Sequence, residues 1–131
     1  MAKYYPINLN LEKKACLVIG GGEVAERKIK RLLEYGANVT VVSPKSTRGI
    51  NVLVNKNKIR LLRRHVNLMD MSGRFLVISA TGERRINSLV SKYCKESNIL
   101  VNVVDYPREC NFILPSVVKR GNLTISISTA G

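Results

Sequence analysis

Residues 15–25 read ACLVIGGGEVA: an apolar run enters a glycine turn, and an amphipathic segment leaves it. That order commits the chain to a strand handing over directly to a helix, the opening move of a parallel βαβ unit. Gly20, Gly22 and Ala25 occupy the three small-residue positions of the dinucleotide-binding pattern. Each position answers a different steric demand. Gly20 permits the tight turn off the strand, Gly22 lets the backbone approach a pyrophosphate with no Cβ in the way, and Ala25 lets the helix lie close on the sheet. A phosphate held there meets unpaired N–H groups of the first helical turn, where the helix dipole favours negative charge.

Both flanks support this reading. Cys16, Leu17, Val18 and Ile19 form a continuous apolar run, as a parallel strand buried on both faces requires. Ala25, Ile29, Leu32 and Leu33 then recur at helical spacing, with Arg27, Lys28, Lys30 and Arg31 on the opposite face. Gly36 stands where glycine closes a helix, and a second apolar run, 39–42, follows at once. The bland alternative is a tight strand-to-helix turn with no ligand.

The pattern departs from the usual nicotinamide site in one place. Such sites carry Asp or Glu at the end of the second strand to grip the ribose hydroxyls, whereas a nearby Arg suits a ribose phosphate. Here the positions are Ser43, Pro44 and Lys45, with Arg48 just beyond. From the motif alone the choice between NAD and NADP stays open.

The remaining segments alternate in the same way. A short helix is expected around 50–54, strands at 59–62, 75–80 and 99–104, and a helix between the last two with Ile86, Leu89, Val90, Tyr93 and Cys94 on its buried face. The expected fold class is therefore α/β: a Rossmann-type, doubly wound, mostly parallel sheet. Ligands bind such sheets beyond the carboxyl ends of the strands. That rule selects Gly20 to Gly22, Ser43 to Lys45, Ala80 to Gly82 with Thr81 between them, and the loop that starts at Asp105. A carboxylate at that last point can accept a proton or steer a charged intermediate. It can equally be a loop cap before Pro107. Runs 111–118 and 123–128, joined by KRGN, predict an antiparallel hairpin that extends the sheet, with Gly121 in its turn. The expected division is a binding domain over 1–110 and the start of a hairpin or dimerisation region over 111–131. A chain stopping as it leaves a strand reads as truncated.

Charge bears on partners. The net charge is +13, and residues 1–65 hold 14 basic and four acidic side chains. Such a field favours polyanions: nucleic acid, an acidic membrane surface, or a small substrate with many carboxylates. No aromatic-interleaved RNA motif or helix-turn-helix signature accompanies it, so nucleic acid is not the expected partner. No apolar stretch approaches the roughly 18 residues of a membrane span, and MAKYYPINLN lacks the layout of a secretion signal. The expected location is the cytoplasm. Cys16, Cys94 and Cys110 form no CxxC or Cys/His cluster, which argues against a disulfide framework and a metal site. His65, beside Arg63 and Arg64, reads as a solvated loop residue.

Several segments together resemble one family, the precorrin-2 dehydrogenase domain of siroheme synthases: YYPINLNLEKKACLVIGGGEVAERK, GANVTVVSP, FLVISAT and VNVVDYPRECNFILPSVVKRGNLTISISTAG. The resemblance implies NAD-dependent oxidation of precorrin-2 to sirohydrochlorin, with ferrous iron chelation added in bifunctional members. It implies that Asp105 is the key acid. It also implies that Gly20, Gly21, Gly22, Glu23, Val24, Ser43, Pro44, Lys45 and Thr81 contact NAD, and that Ser128 and Thr129 lie near the substrate. The implied substrate is a polycarboxylate tetrapyrrole, which gives the basic surface a use, and the implied full-length assembly is a homodimer. A rival reading from another class is a nucleotide-sensing Rossmann module of the potassium-transport type. Those modules normally carry an acid where this chain has Ser43.

Overall fold

The computed structural model describes residues 2–129. Five strands, β1 (Ala15–Ile19), β2 (Asn38–Val42), β3 (Arg60–Leu62), β4 (Leu76–Ser79) and β5 (Leu100–Val103), form one sheet in the order β3-β2-β1-β4-β5. Every pairing in it is parallel. Helices α1 (Glu23–Glu34), α2 (Arg48–Asn55) and α3 (Arg84–Glu96) connect them, with a 3₁₀ turn at Leu68–Met71 in the long passage from β3 to β4. The chain first builds outward from β1 to β3, then returns past β1 and builds outward the other way. Because βαβ crossovers are right-handed, reversing the direction of travel puts the later helix on the opposite face.

The core shows that division residue by residue. Alternate side chains of β1 point to opposite faces. Cys16 and Val18 pack with Ala25, Ile29, Leu32 and Ile50 of α1 and α2. Leu17 and Ile19 pack with Met71, Val90 and Cys94 on the α3 side. Full burial of a side chain such as Ile29 contributes about 1.5–3 kcal/mol, so the apolar stripe fixes how α1 lies on the sheet. Among the described residues no helix is long and apolar enough to cross a membrane.

Two local expectations are corrected. The buried face of α3 carries Asn87, Val90, Ser91 and Cys94, while Leu89 is 44% exposed. Hydrogen bonds rotate the helix away from the purely apolar stripe. Ser79 Oγ donates to Asn87 Oδ1 (2.7 Å), Asn87 Nδ2 donates to the Thr81 carbonyl (3.1 Å), and Ser91 Oγ donates to the Glu109 carbonyl (2.6 Å). The hairpin, β6 (Ser116–Arg120) and β7 (Leu123–Ile127), turns at Gly121 as expected (φ +56°) but forms a sheet of its own. The run expected from residue 111 enters β6 only at Ser116, because Asn111 is committed to β5. Its side chain accepts from Val101 N (2.8 Å) and donates to Ile99 O (2.9 Å), while its backbone N–H donates to Val101 O. Those bonds occupy part of the β5 edge that the hairpin would have joined. Residues 130–131 of the expected terminal region lie outside the described residues.

Candidate dinucleotide cleft

The parallel ladder continues one rung past the strands and sets the loops at their carboxyl ends in register. Gly20 N donates to Val42 O, Ala80 N to Ile19 O, Ser43 N to Leu62 O and Val104 N to Ser79 O. Between these loops lies a cleft of about 200 Å³ at the point where β1 and β4 part. Ligand sites of doubly wound sheets form at this switch point.

The glycines of the turn have separable duties. Gly20 has φ +122°, and a Cβ on it would stand 2.7 Å from the Ala80 carbonyl oxygen, so strain and overlap both exclude a side chain. A Cβ on Gly21 would overlap the Lys45 carbonyl oxygen. Gly22 differs: its Cβ would meet nothing within 4 Å. It is also the N-cap of α1 and supplies no side-chain acceptor to the first-turn N–H groups. Those donors and the bare approach to them fit a pyrophosphate, which is what the motif requires of this turn.

The loop after β2 is tied onto the turn. Ser43 Oγ donates to Lys45 O (2.6 Å), and Thr47 N donates to Gly21 O (3.0 Å). Thr47 Oγ1 donates to Glu26 Oε1 (2.5 Å) and accepts from Ile50 N, so the cap of α2 is moored to α1. Hydrogen bonds from Lys30 and then Thr47 hold the Glu26 carboxyl below the usual carboxylate range. Ser43, 7% exposed, thus serves the loop with its hydroxyl.

Of the sequence-predicted contacts, Gly20, Gly21, Ser43, Pro44, Lys45 and Thr81 line the cleft. Gly22, Glu23 and Val24 form the start of α1 beside it. The structure adds His65, Val66, Glu83 and Ile86 to the lining. His65 is exposed, as expected of a loop residue, and also borders the cleft. Applying the carboxyl-end rule to β3, and following the chain five residues past Thr81 into the first turn of α3, would have found all four.

Asp105 stands two residues beyond the end of β5, as Thr81 does beyond β4, and Ser79 and Val103 are paired partners in that register. It does not line the cleft. Its side chain is exposed and forms no hydrogen bond or ion pair with a described residue. Its backbone is left-handed, φ +68°, and Tyr106 N donates to Val103 O (3.1 Å) to close the turn around it. Arg84, at the start of α3, covers the Tyr106 ring at 3.8 Å and ties this loop to the helix. Ser128 and Thr129 follow β7 on the hairpin, exposed and apart from the cleft lining. Among the described residues no three His, Cys, Asp or Glu side chains gather as metal ligands would. Burial pushes the Cys16 and Cys94 thiols up to about 11, so neither is poised as a nucleophile.

Known proteins share both sequence and architecture. Residues 7–116 match the family described as putative NAD(P)-binding. The siroheme synthases of Vesicomyosocius okutanii and Ruthia magnifica are 42% and 40% identical over 98% of this chain, which spans 28% and 27% of their lengths. The solved structure of SirC, a precorrin-2 dehydrogenase, superposes with a TM-score of 0.83 at 34% identity, covering 96% of this chain and 62% of SirC. The chain thus spans about a quarter of the curated relatives it matches. With its glycine turn open at Gly22, its parallel sheet and these relatives, the chain belongs to the NAD(P)-binding family that includes the matching parts of siroheme synthases and SirC.

Proposed function

We propose that this chain is the dinucleotide-binding part of an NAD-dependent dehydrogenase that oxidises precorrin-2 to sirohydrochlorin in siroheme biosynthesis. The observation that carries the reading is the conjunction of an open pyrophosphate cradle at Gly22 with similarity to SirC along nearly the whole chain. NAD⁺ held in this cleft would supply the two-electron acceptor, one hydride being taken up as one proton leaves the macrocycle. The protein's own part is to bind, orient and move that proton. First-turn N–H groups of α1 would hold the pyrophosphate and the loop at Ser43 to Lys45 would flank the adenosine ribose, while Thr81 lines the cleft across β1. Asp105 is the catalytic residue in this reading: a carboxylate with no internal partner, on the loop next to Thr81, free to take the proton.

The reading divides the chain into a binding domain over 1–110 and a hairpin or dimerisation region over 111–131, with Ser128 and Thr129 facing substrate. Supporting this, Val118, Leu123, Ile125 and Ile127 alternate onto one face of the hairpin and are 48–61% exposed. A surplus of 13 positive charges suits a polycarboxylate tetrapyrrole. We place the enzyme in the cytoplasm, as a homodimer. The test is to incubate the full-length protein with precorrin-2, with and without NAD⁺. Sirohydrochlorin should form only when NAD⁺ is present; formation at the same rate without it would overturn the proposal.

A further inference from the structure

A second cavity lies at the opposite end of the sheet, where the strands begin. It measures about 360 Å³, and its lining includes Ala15, Asn38, Thr40, Lys58, Arg60 and Arg74. Ala15, Asn38 and Arg60 are the first residues of β1, β2 and β3, and Arg74 stands two residues before β4. The dinucleotide cleft opens beyond the other ends of these strands, and the two cavities share no lining residue. Three cations line the second cavity, and no carboxylate does.

The polar groups around it are positioned but not fully occupied. Arg74 Nε donates to Asp70 O (2.9 Å) and Arg74 Nη1 donates to Thr40 Oγ1 (3.2 Å), so two neutral acceptors fix the guanidinium and no carboxylate is bonded to it. The Asp70 carboxylate acts on Arg74 from nearby, but Arg64 already grips both of its oxygens at 2.7 and 2.8 Å. Lys58 and Arg60 are exposed and form no ion pair with a described residue. Thr40 adds an independent sign of a ligand. It is only 9% exposed, and its hydroxyl accepts from Arg74 yet donates to no described residue. Buried hydroxyls ordinarily have an acceptor for their proton, and one inside the cavity would supply it. A fixed guanidinium, two further cations and an unused hydroxyl donor together match a ligand with several anionic oxygens.

We infer that this cavity binds a compact multivalent oxyanion, a phosphate or a polycarboxylate, at a site separate from the dinucleotide cleft. Its volume suits a small ligand, whose pockets run to roughly 300–1,000 Å³. The full-length protein is titrated calorimetrically with inorganic phosphate and, separately, with citrate, at about 0.15 M salt to screen diffuse attraction. At least one of them should bind with a Kd below about 1 mM, and the tighter of the two tells phosphate from carboxylate as the source. The double variant Lys58→Gln/Arg60→Gln leaves Arg74 and Thr40 in place and should weaken that anion at least about tenfold. Arg27→Gln/Lys92→Gln removes the same two charges from exposed positions on α1 and α3, and should change Kd less than about twofold. A Kd above about 1 mM for both anions overturns the inference. So does unchanged binding in the first double variant. Equal weakening by both double variants also overturns it, since the attraction then belongs to the net charge of +13 and not to the cavity.

Discussion

Replacing Asp105 in turn by asparagine, alanine and glycine separates a carboxylate that moves a proton from one that merely suits a turn. The residue sits at φ +68° in the third position of the turn closed by Tyr106 N and Val103 O. Glycine adopts that conformation freely, and asparagine tolerates it much as aspartate does. Alanine keeps the Cβ that aspartate already places there but loses the short polar side chain that offsets the strain, at a cost of up to about 1 kcal/mol, which lowers Tm by up to roughly 4 °C in a domain of this size. The exposed carboxylate has no partner to lose among the described residues, so asparagine should leave Tm within about 1 °C. Chemistry ranks the variants differently. A positioned general base contributes about 10²–10⁴ in rate, or roughly 3–5 kcal/mol of barrier. All three variants should therefore lose turnover by at least about a hundredfold, while NAD⁺ affinity, set on β1 and β2, is kept. Tm, NAD⁺ Kd and NADH production are measured on the same preparations. A folded, NAD⁺-binding Asp105→Asn enzyme with turnover near the parent would refute the catalytic assignment, and loss confined to Asp105→Ala would assign the residue to the turn.

Gly22→Val projects into open space and should preserve Tm while weakening NAD⁺ by at least about a hundredfold; a variant that titrates like the parent would move the site elsewhere. Gly20→Ala should instead destabilise the fold, because its Cβ meets the Ala80 carbonyl at positive φ, and thermal denaturation would show it. Asn87→Ala strands the buried Ser79 hydroxyl and the Thr81 carbonyl, with an expected cost of about 2 kcal/mol in denaturant unfolding. Hydrogen bonds from Arg64 hold the Asp70 carboxyl below the usual aspartate range. Its stabilisation is thus complete above the ordinary aspartate value and is lost as pH falls toward the lowered one; Asp70→Asn should flatten that part of the stability profile.

The strand-and-glycine run at 15–25 made the fold legible because its constraints are local: a buried strand, a turn only glycine can make, a helix with one apolar stripe. The class of sheet, doubly wound and parallel, followed from the succession of elements, whereas the strand order β3-β2-β1-β4-β5 came from the structure. The orientation of α3 was not legible, because apolar periodicity cannot register a buried Asn87 or Ser91 whose partners, Ser79, Thr81 and Glu109, lie on other elements. The hairpin's separation was hidden for the same reason, since it depends on Asn111 bonding back to β5. At the site, Gly20 to Gly22 and Ser43 to Lys45 were readable from their place at strand ends. The grouping of Lys58 and Arg60 with Arg74 at the other end of the sheet was not, because it depends on which strands lie side by side.

A cleft that binds a dinucleotide able to accept a hydride from a tetrapyrrole must couple the two products stoichiometrically. A single-turnover experiment tests it most directly: excess full-length protein, limiting precorrin-2 and NAD⁺, with NADH and sirohydrochlorin quantified together. One NADH should appear for each sirohydrochlorin formed. NAD⁺ bound at the cleft but recovered unchanged, with precorrin-2 untouched, would contradict it.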